Sequence, residues 1–150
     1  MDDSTQPLRE LLARPSPREE RGRQAAEWIR TRGGYRWVGI YDVTLDAIAA
    51  FAWTGDRAPA FPRFPRTQGL CGAAVASGQP VIVEDVSNDP RYLTTFDSTG
   101  AEAIFPVWNQ GSEIVRTLDV ESDRVGAFTT SDRVFLEECA LPISPLWSDR

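Results

Sequence analysis

Glu102-Ala103-Ile104-Phe105-Pro106-Val107-Trp108, Asn109-Gln110-Gly111-Ser112 and Glu113-Ile114-Val115-Arg116-Thr117-Leu118-Asp119-Val120-Glu121 follow one another without a break and read as strand, turn, strand. β-Branched and aromatic residues fill both arms, and a short Asn/Gly/Ser turn between such arms signals a hairpin. Hairpins pair antiparallel, so this stretch sets the kind of sheet. Upstream, Tyr35–Val43 is a second strand-like run that turns near Thr44–Asp46 and returns over Ala47 to Trp53. Val81–Glu84 is a shorter strand on its own. Helical patterns separate these runs. From Arg18 to Arg32, residues Ala25, Trp28 and Ile29 share one face, and Gly33-Gly34 supplies the stop. A second helix spans about 70–77, ending at Gly78. A third is capped by Thr129 or Thr130 and carries Val134, Phe135, Leu136 and Cys139, with Pro142 and Pro145 limiting its length. This order predicts an α+β fold, a central antiparallel sheet of five or six strands with flanking helices. Residues 1–17, with three prolines and little periodicity, predict a flexible N-terminal arm, with room for a short helical turn across Leu8, Leu11 and Leu12, and 18–150 a single domain. Thr54–Gln68 and Ser87–Gly100 read as loops.

Composition removes whole classes of mechanism. The chain has 150 residues, no His, and sixteen basic residues that are all Arg. Ser/His/Asp and Cys/His dyads, His-ligated metals, a lysine Schiff base and a P-loop lysine are therefore excluded. Two cysteines 68 residues apart, Cys71 and Cys139, make neither a zinc site nor a disulfide framework. No metal and no cofactor are expected. Net charge is −6, and residues 37–150 carry eight Arg against sixteen acids. An acidic body argues against nucleic acid as a partner and is compatible with a cationic or zwitterionic small ligand. No apolar run approaches the ~18 residues of a membrane span, and the first residues lack a signal pattern, so no membrane partner and a cytoplasmic location are expected. What remains is thiol chemistry, carboxylate chemistry, or binding alone.

Seven residues stand out on their own chemistry. Cys71 lies in Gly69-Leu70-Cys71-Gly72-Ala73-Ala74-Val75, a tight turn opening a helix, where backbone N–H groups and the helix dipole lower a thiol's pKa. It reads either as a reactive thiol or as a small buried residue. Asp119 and Glu121, two apart on a strand, share one side. With Glu102 they form either an acidic pocket with mutually raised pKa values or a solvated face. Trp37 and Tyr41, four apart on their strand, also share a side, and read as pocket wall or as core aromatics. Cys139 reads as core packing on the last helix.

Taken together and in order, these motifs resemble the GAF domain and, within it, the free methionine-(R)-sulfoxide reductases. The likeness runs from about Trp28 to Cys139. Trp37-Val38-Gly39-Ile40-Tyr41 resembles the family's first strand, and Gly69–Val75 its glycine-cysteine-glycine turn. Val83-Glu84-Asp85-Val86 looks like the strand that follows. Glu102 stands where the family has a Ser-Glu pair, and Leu118-Asp119-Val120-Glu121-Ser122 is similar to its Leu-Asp-Ile-Asp-Ser strand. Ser87-Asn88-Asp89-Pro90-Arg91-Tyr92 resembles a loop of GAF domains generally. The resemblance implies that Glu102, Asp119 and Glu121 hold a ligand's ammonium group, with Trp37 and Tyr41 as wall. It also implies an attacking cysteine in the loop before Glu102, resolved by the cysteine of the glycine-rich turn. Here that loop holds no thiol: counting back places Thr95 or Phe96 at the position.

Three functional expectations follow from the resemblance. The first is a stand-alone GAF domain that binds a free amino acid or derivative without the family's thiol catalysis. The second is a working reductase in which Cys71 attacks free methionine-(R)-sulfoxide, with Cys139, glutathione or a thioredoxin-like protein as reductant. The third is a dimerisation or interaction module acting as a homodimer. Cyclic-nucleotide and bilin-binding GAF domains fit poorly, because the Asn-Lys…Phe…Asp-Glu signature is missing and a Cys-His pair cannot form.

Overall fold

Leu118 and Val120 alternate with Thr117, Asp119 and Glu121, so their strand must offer one apolar face and one polar face. The computed structural model, which describes residues 5–93, 96 and 98–147, shows what each face meets. In chain order the elements are α1 (Gln6–Leu12), α2 (Arg18–Gly33), β1 (Trp37–Val43), β2 (Ala47–Thr54), β3 (Arg63–Pro65), α3 (Gly69–Ser77), β4 (Val81–Val83), β5 (Ala101–Trp108), β6 (Ile114–Ser122) and α4 (Thr130–Ala140). Short 3-10 turns cover Val86–Asn88 and Leu141–Trp147. The strands form one six-stranded sheet in the order β3-β2-β1-β6-β5-β4, with every pair antiparallel. The α+β architecture and antiparallel sheet expected from the sequence are those observed.

The sheet divides the interior in two. On one side Val38, Ile40, Phe105, Leu118 and Val120 pack beneath α1, α2 and α4, against Leu8, Ile29, Leu136 and Cys139. On the other, Trp37, Tyr41 and Ile104 meet Leu70, Cys71 and Ala74 of α3, together with Phe96. The first side holds most of the apolar core and anchors the fold. The second carries the acids.

Two readings of the sequence need correction. Residues 1–17 are not simply an arm, because Gln6–Leu12 is helical and Leu8 is fully buried against α2 and the sheet. Seven residues cannot hold a helix alone in water, but burying a leucine gives roughly 1.5–3 kcal/mol. Proline content hid this packing. Likewise, the segment read as a loop between Thr54 and Gln68 contains β3, which pairs with Ala47–Ala49. A three-residue strand flanked by prolines has too little sequence to show a period, and as an edge strand it tolerates proline.

Local chemistry accounts for the other boundaries. Gly34 and Gly78 end α2 and α3 in the left-handed conformation, at φ 72° and 69°. Thr129 caps α4 in a reciprocal capping box with Asp132. In the β5–β6 turn the Asn109 side chain does the work: its Oδ1 accepts from the backbone N–H of Gly111 and Glu113 at 2.8 and 2.9 Å. The positive φ falls on Ser112, at 65°, and not on Gly111. Pro106 sits in β5 beyond the reach of β4, whose pairing covers only 102–104, so its missing N–H interrupts no ladder on that side.

Candidate functional site

Register brings the site together. On β1, Trp37, Gly39 and Tyr41 are the Cα partners of Glu121, Asp119 and Thr117 on β6. On β5, Glu102 and Ile104 oppose Glu121 and Asp119. Three neighbouring strands therefore point Glu102, Asp119, Glu121, Trp37 and Tyr41 to the same side. One oxygen from each of the three acids lies within 4.8 Å of the other two. Glu102, Asp119 and Glu121 are 4%, 3% and 0% exposed, so the solvated-face reading is wrong and they form a buried cluster.

Burial and mutual repulsion keep protons in that cluster. The Glu102 carboxyl is pushed well above its usual range, first by burial and then by the charges of Asp119 and Glu121. Burial also pushes Asp119 up, to about 6, against the opposing effect of a hydrogen bond from Glu102. Glu102 is thus the protonated partner and donates to Asp119. Asp119 Oδ1 is left buried with no hydrogen-bond partner among the described residues. Glu121 Oε1 accepts from the Thr99 hydroxyl at 2.6 Å. A set of three carboxylates suits a cation: an ammonium group through charge-assisted hydrogen bonds, or a hard divalent metal through oxygen ligation.

The aromatic wall is built on an absent side chain. A Cβ on Gly39 would overlap the Trp37 ring, so the indole lies over Gly39, the cross-strand neighbour of Asp119. Trp37 Nε1 donates to the Arg57 carbonyl at 3.1 Å, which fixes the ring. A Cβ on Gly55, whose φ is 145°, would lie 2.5 Å from Trp37 Cδ1, so a glycine is needed for the backbone to pass this close to the ring. Tyr41 lies 6.4 Å from Trp37, centroid to centroid, and 5.9 Å edge-on from Phe64. The Tyr41 hydroxyl is pushed well up by burial and then by Asp119 and Cys71, which places it beside the acids. Phe96 completes the wall, edge-on to Trp37 at 5.6 Å and only 3% exposed. Of the two positions read as replacing the family's attacking thiol, Phe96 is therefore in the pocket. Thr95 lies outside the described residues.

Of its two sequence readings, Cys71 takes that of a small buried residue. It sits in the first turn of α3, but it is buried, and burial followed by the charge of Asp119 pushes its thiol well up instead of down. The helix dipole, worth about 0.3–1 kcal/mol near a surface, is outweighed by desolvation. The Thr117 hydroxyl donates to Sγ at 3.5 Å. Cys139 belongs to the apolar cluster on the opposite side of the sheet. The two thiols are separated by the sheet itself, so Cys139 cannot resolve Cys71 within the folded chain.

Sequence reasoning missed Thr117, Thr99 and Gly39. Thr117 had a signal: with Asp119 and Glu121 it continues the two-residue period onto the same face. Thr99 had none, because only tertiary structure brings it to Glu121.

The chain and its fold have relatives. The sequence model of the GAF domain matches residues 17–145. Free methionine-R-sulfoxide reductase of Escherichia coli is 28% identical over 102 residues, 68% of this chain and 60% of that one. GAF domain-containing protein A of Dictyostelium discoideum is 28% identical over 111 residues, 73% of this chain and 68% of that one. The matched stretch spans 58 to 68% of the length of the curated relatives. Among solved structures, type II free methionine-R-sulfoxide reductase of Thermoplasma acidophilum superposes with a TM-score of 0.81 at 28% identity, covering 93% of this chain and 94% of that one. No helix among the described residues is long and apolar enough to cross a membrane. A family match over most of the chain, on a six-stranded antiparallel sheet with this helix order, makes the protein a member of the GAF domain family, related to the free methionine-R-sulfoxide reductases.

Proposed function

We propose that this GAF domain binds a free amino acid or a close derivative in the pocket of Glu102, Asp119 and Glu121, walled by Trp37 and Tyr41, without the usual thiol catalysis of its reductase relatives. One observation carries the reading: three carboxylates, all at least 96% buried, lie within 4.8 Å of one another on the sheet face that also carries Trp37 and Tyr41. Such a cluster is costly when empty, because two of its members must hold or share protons. A ligand ammonium group offsets that cost by supplying the missing donors, including one for Asp119 Oδ1. The aromatic faces of Trp37 and Tyr41 favour the same charge.

Catalysis is disfavoured by the state of the thiols. Cys71 is buried with a raised pKa, so little thiolate forms near neutral pH. Neither position at which the resemblance places the relatives' attacking thiol, Thr95 or Phe96, is a cysteine, and Phe96 packs edge-on against Trp37. The test is incubation with free methionine-(R)-sulfoxide and dithiothreitol while methionine is followed, alongside thermal shift with the same compound. Binding that Asp119→Asn abolishes, with no methionine formed, is the expected result. Turnover that Cys71→Ser abolishes would replace the binding reading with that of a reductase.

A further inference from the structure

Two positive charges beside the acidic cluster have no acidic partner among the described residues. Arg36 immediately precedes Trp37, and its backbone N–H donates to the Glu121 carbonyl at 3.2 Å. Arg57 supplies the carbonyl that holds the Trp37 indole. Both side chains turn to one ring: the guanidinium carbons lie 4.9 and 5.8 Å from the Phe96 centroid. Neither guanidinium has an ion pair or a side-chain hydrogen bond among the described residues, in a chain whose net charge is −6. Most other arginines have such partners, as with Arg18 and Arg116 on Asp42, Arg30 on Glu27, Arg91 on Asp89 and Arg133 on Glu137.

Stacking does not explain the pair. A guanidinium over a ring uses its face and leaves its N–H edge free for a planar acceptor. For Arg36 that edge is not simply in water, since Nη1 is buried and has no hydrogen-bond partner. A buried donor on a charged group is expected to have an acceptor. Two like charges gathered on one ring also repel, and an anion between them removes the repulsion. Carboxylate matches the fork of a guanidinium through two parallel hydrogen bonds.

We propose that Arg36 and Arg57 form the carboxylate subsite of this pocket, so that it selects a zwitterion: ammonium on Glu102, Asp119 and Glu121, carboxylate on the two arginines. This rests on the amino-acid reading above and adds its second pole. An amine that lacks the carboxylate satisfies only the acids. A peptide-bound residue loses one pole or both.

The experiment compares two probes by calorimetry on the intact chain: L-methionine-(R)-sulfoxide and the amine left by its decarboxylation. The amino acid is expected to bind about tenfold or more tightly than the amine, the worth of a charge-assisted hydrogen bond. Arg36→Gln and Arg57→Gln should each weaken the amino acid while leaving the amine unchanged, and Asp119→Asn should weaken both. Circular dichroism of each variant checks folding. Equal affinity for the two probes, or arginine variants that weaken both alike, overturns the carboxylate subsite and leaves the ammonium site standing. Failure of both probes to bind the unsubstituted chain overturns the amino-acid reading and this subsite with it.

Discussion

Replacing Asp119 with Asn should make the empty protein more stable at neutral pH. In an unfolded chain this carboxyl loses its proton near 3.8, but in the folded protein burial holds it until about 6. Between those values the folded state binds more protons than the unfolded one, so stability falls as pH rises through the window. The shift corresponds to about 3 kcal/mol in total, of which about 1.3 kcal/mol is lost between pH 5 and 7. Glu102, also shifted upward, adds to the fall. Asp89 and Asp132 are shifted the other way, so their contributions are complete above about pH 5 and do not blur the window. Asn keeps the acceptor for Glu102 and removes the charge. Urea unfolding followed by tryptophan fluorescence between pH 5 and 7.5 measures the effect. The unsubstituted protein should lose stability across that range, and Asp119→Asn should show a shallower slope and a gain of about 1–3 kcal/mol at pH 7. A flat or rising profile, or the same slope in both proteins, would refute the buried-acid reasoning.

Gly39→Ala should cost about 1–3 kcal/mol by overpacking and shift tryptophan emission, because the new methyl group displaces the Trp37 ring that Arg57 and Gly55 hold in place; an unchanged unfolding midpoint and spectrum would count against that geometry. Both thiols should resist a soluble thiol reagent at pH 7.5 until the chain unfolds, since burial pushes Cys71 well up and Cys139 up to about 12. Rapid labelling of one thiol per folded chain would contradict this.

Much of this was legible beforehand, for reasons that differ by element. The strands of both hairpins showed themselves through their β-branched and aromatic residues and the turns between them, although β1, β5 and β6 are largely buried on both faces. The acids could be placed on a shared side by the two-residue period of a strand, but whether that side met solvent or α3 depended on helix packing that the strand does not encode. Cys71 was left between a reactive and a buried thiol because a local rule about helix starts does not say what covers the helix. β3 escaped notice because it is held by a partner strand and has little pattern of its own, and the burial of α1 could not be read from its leucines alone. Arg36 and Arg57 look ordinary in sequence, and only the Phe96 ring shows that they converge.

The alternation along β6 has a consequence for how the chain folds as well as for what it binds. A slip of one residue against β1 or β5 would turn Asp119 and Glu121 toward the helices of the apolar side and send Leu118 and Val120 out toward α3. Charges forced among Leu8, Ile29 and Leu136 would have neither water nor partner, so the mispaired sheet is far less stable than the correct one. The carboxylates thus guard against misassembly: a chain whose acids were all exchanged for apolar residues would lose its pocket and, with it, a main reason for its strands to pair in only one way.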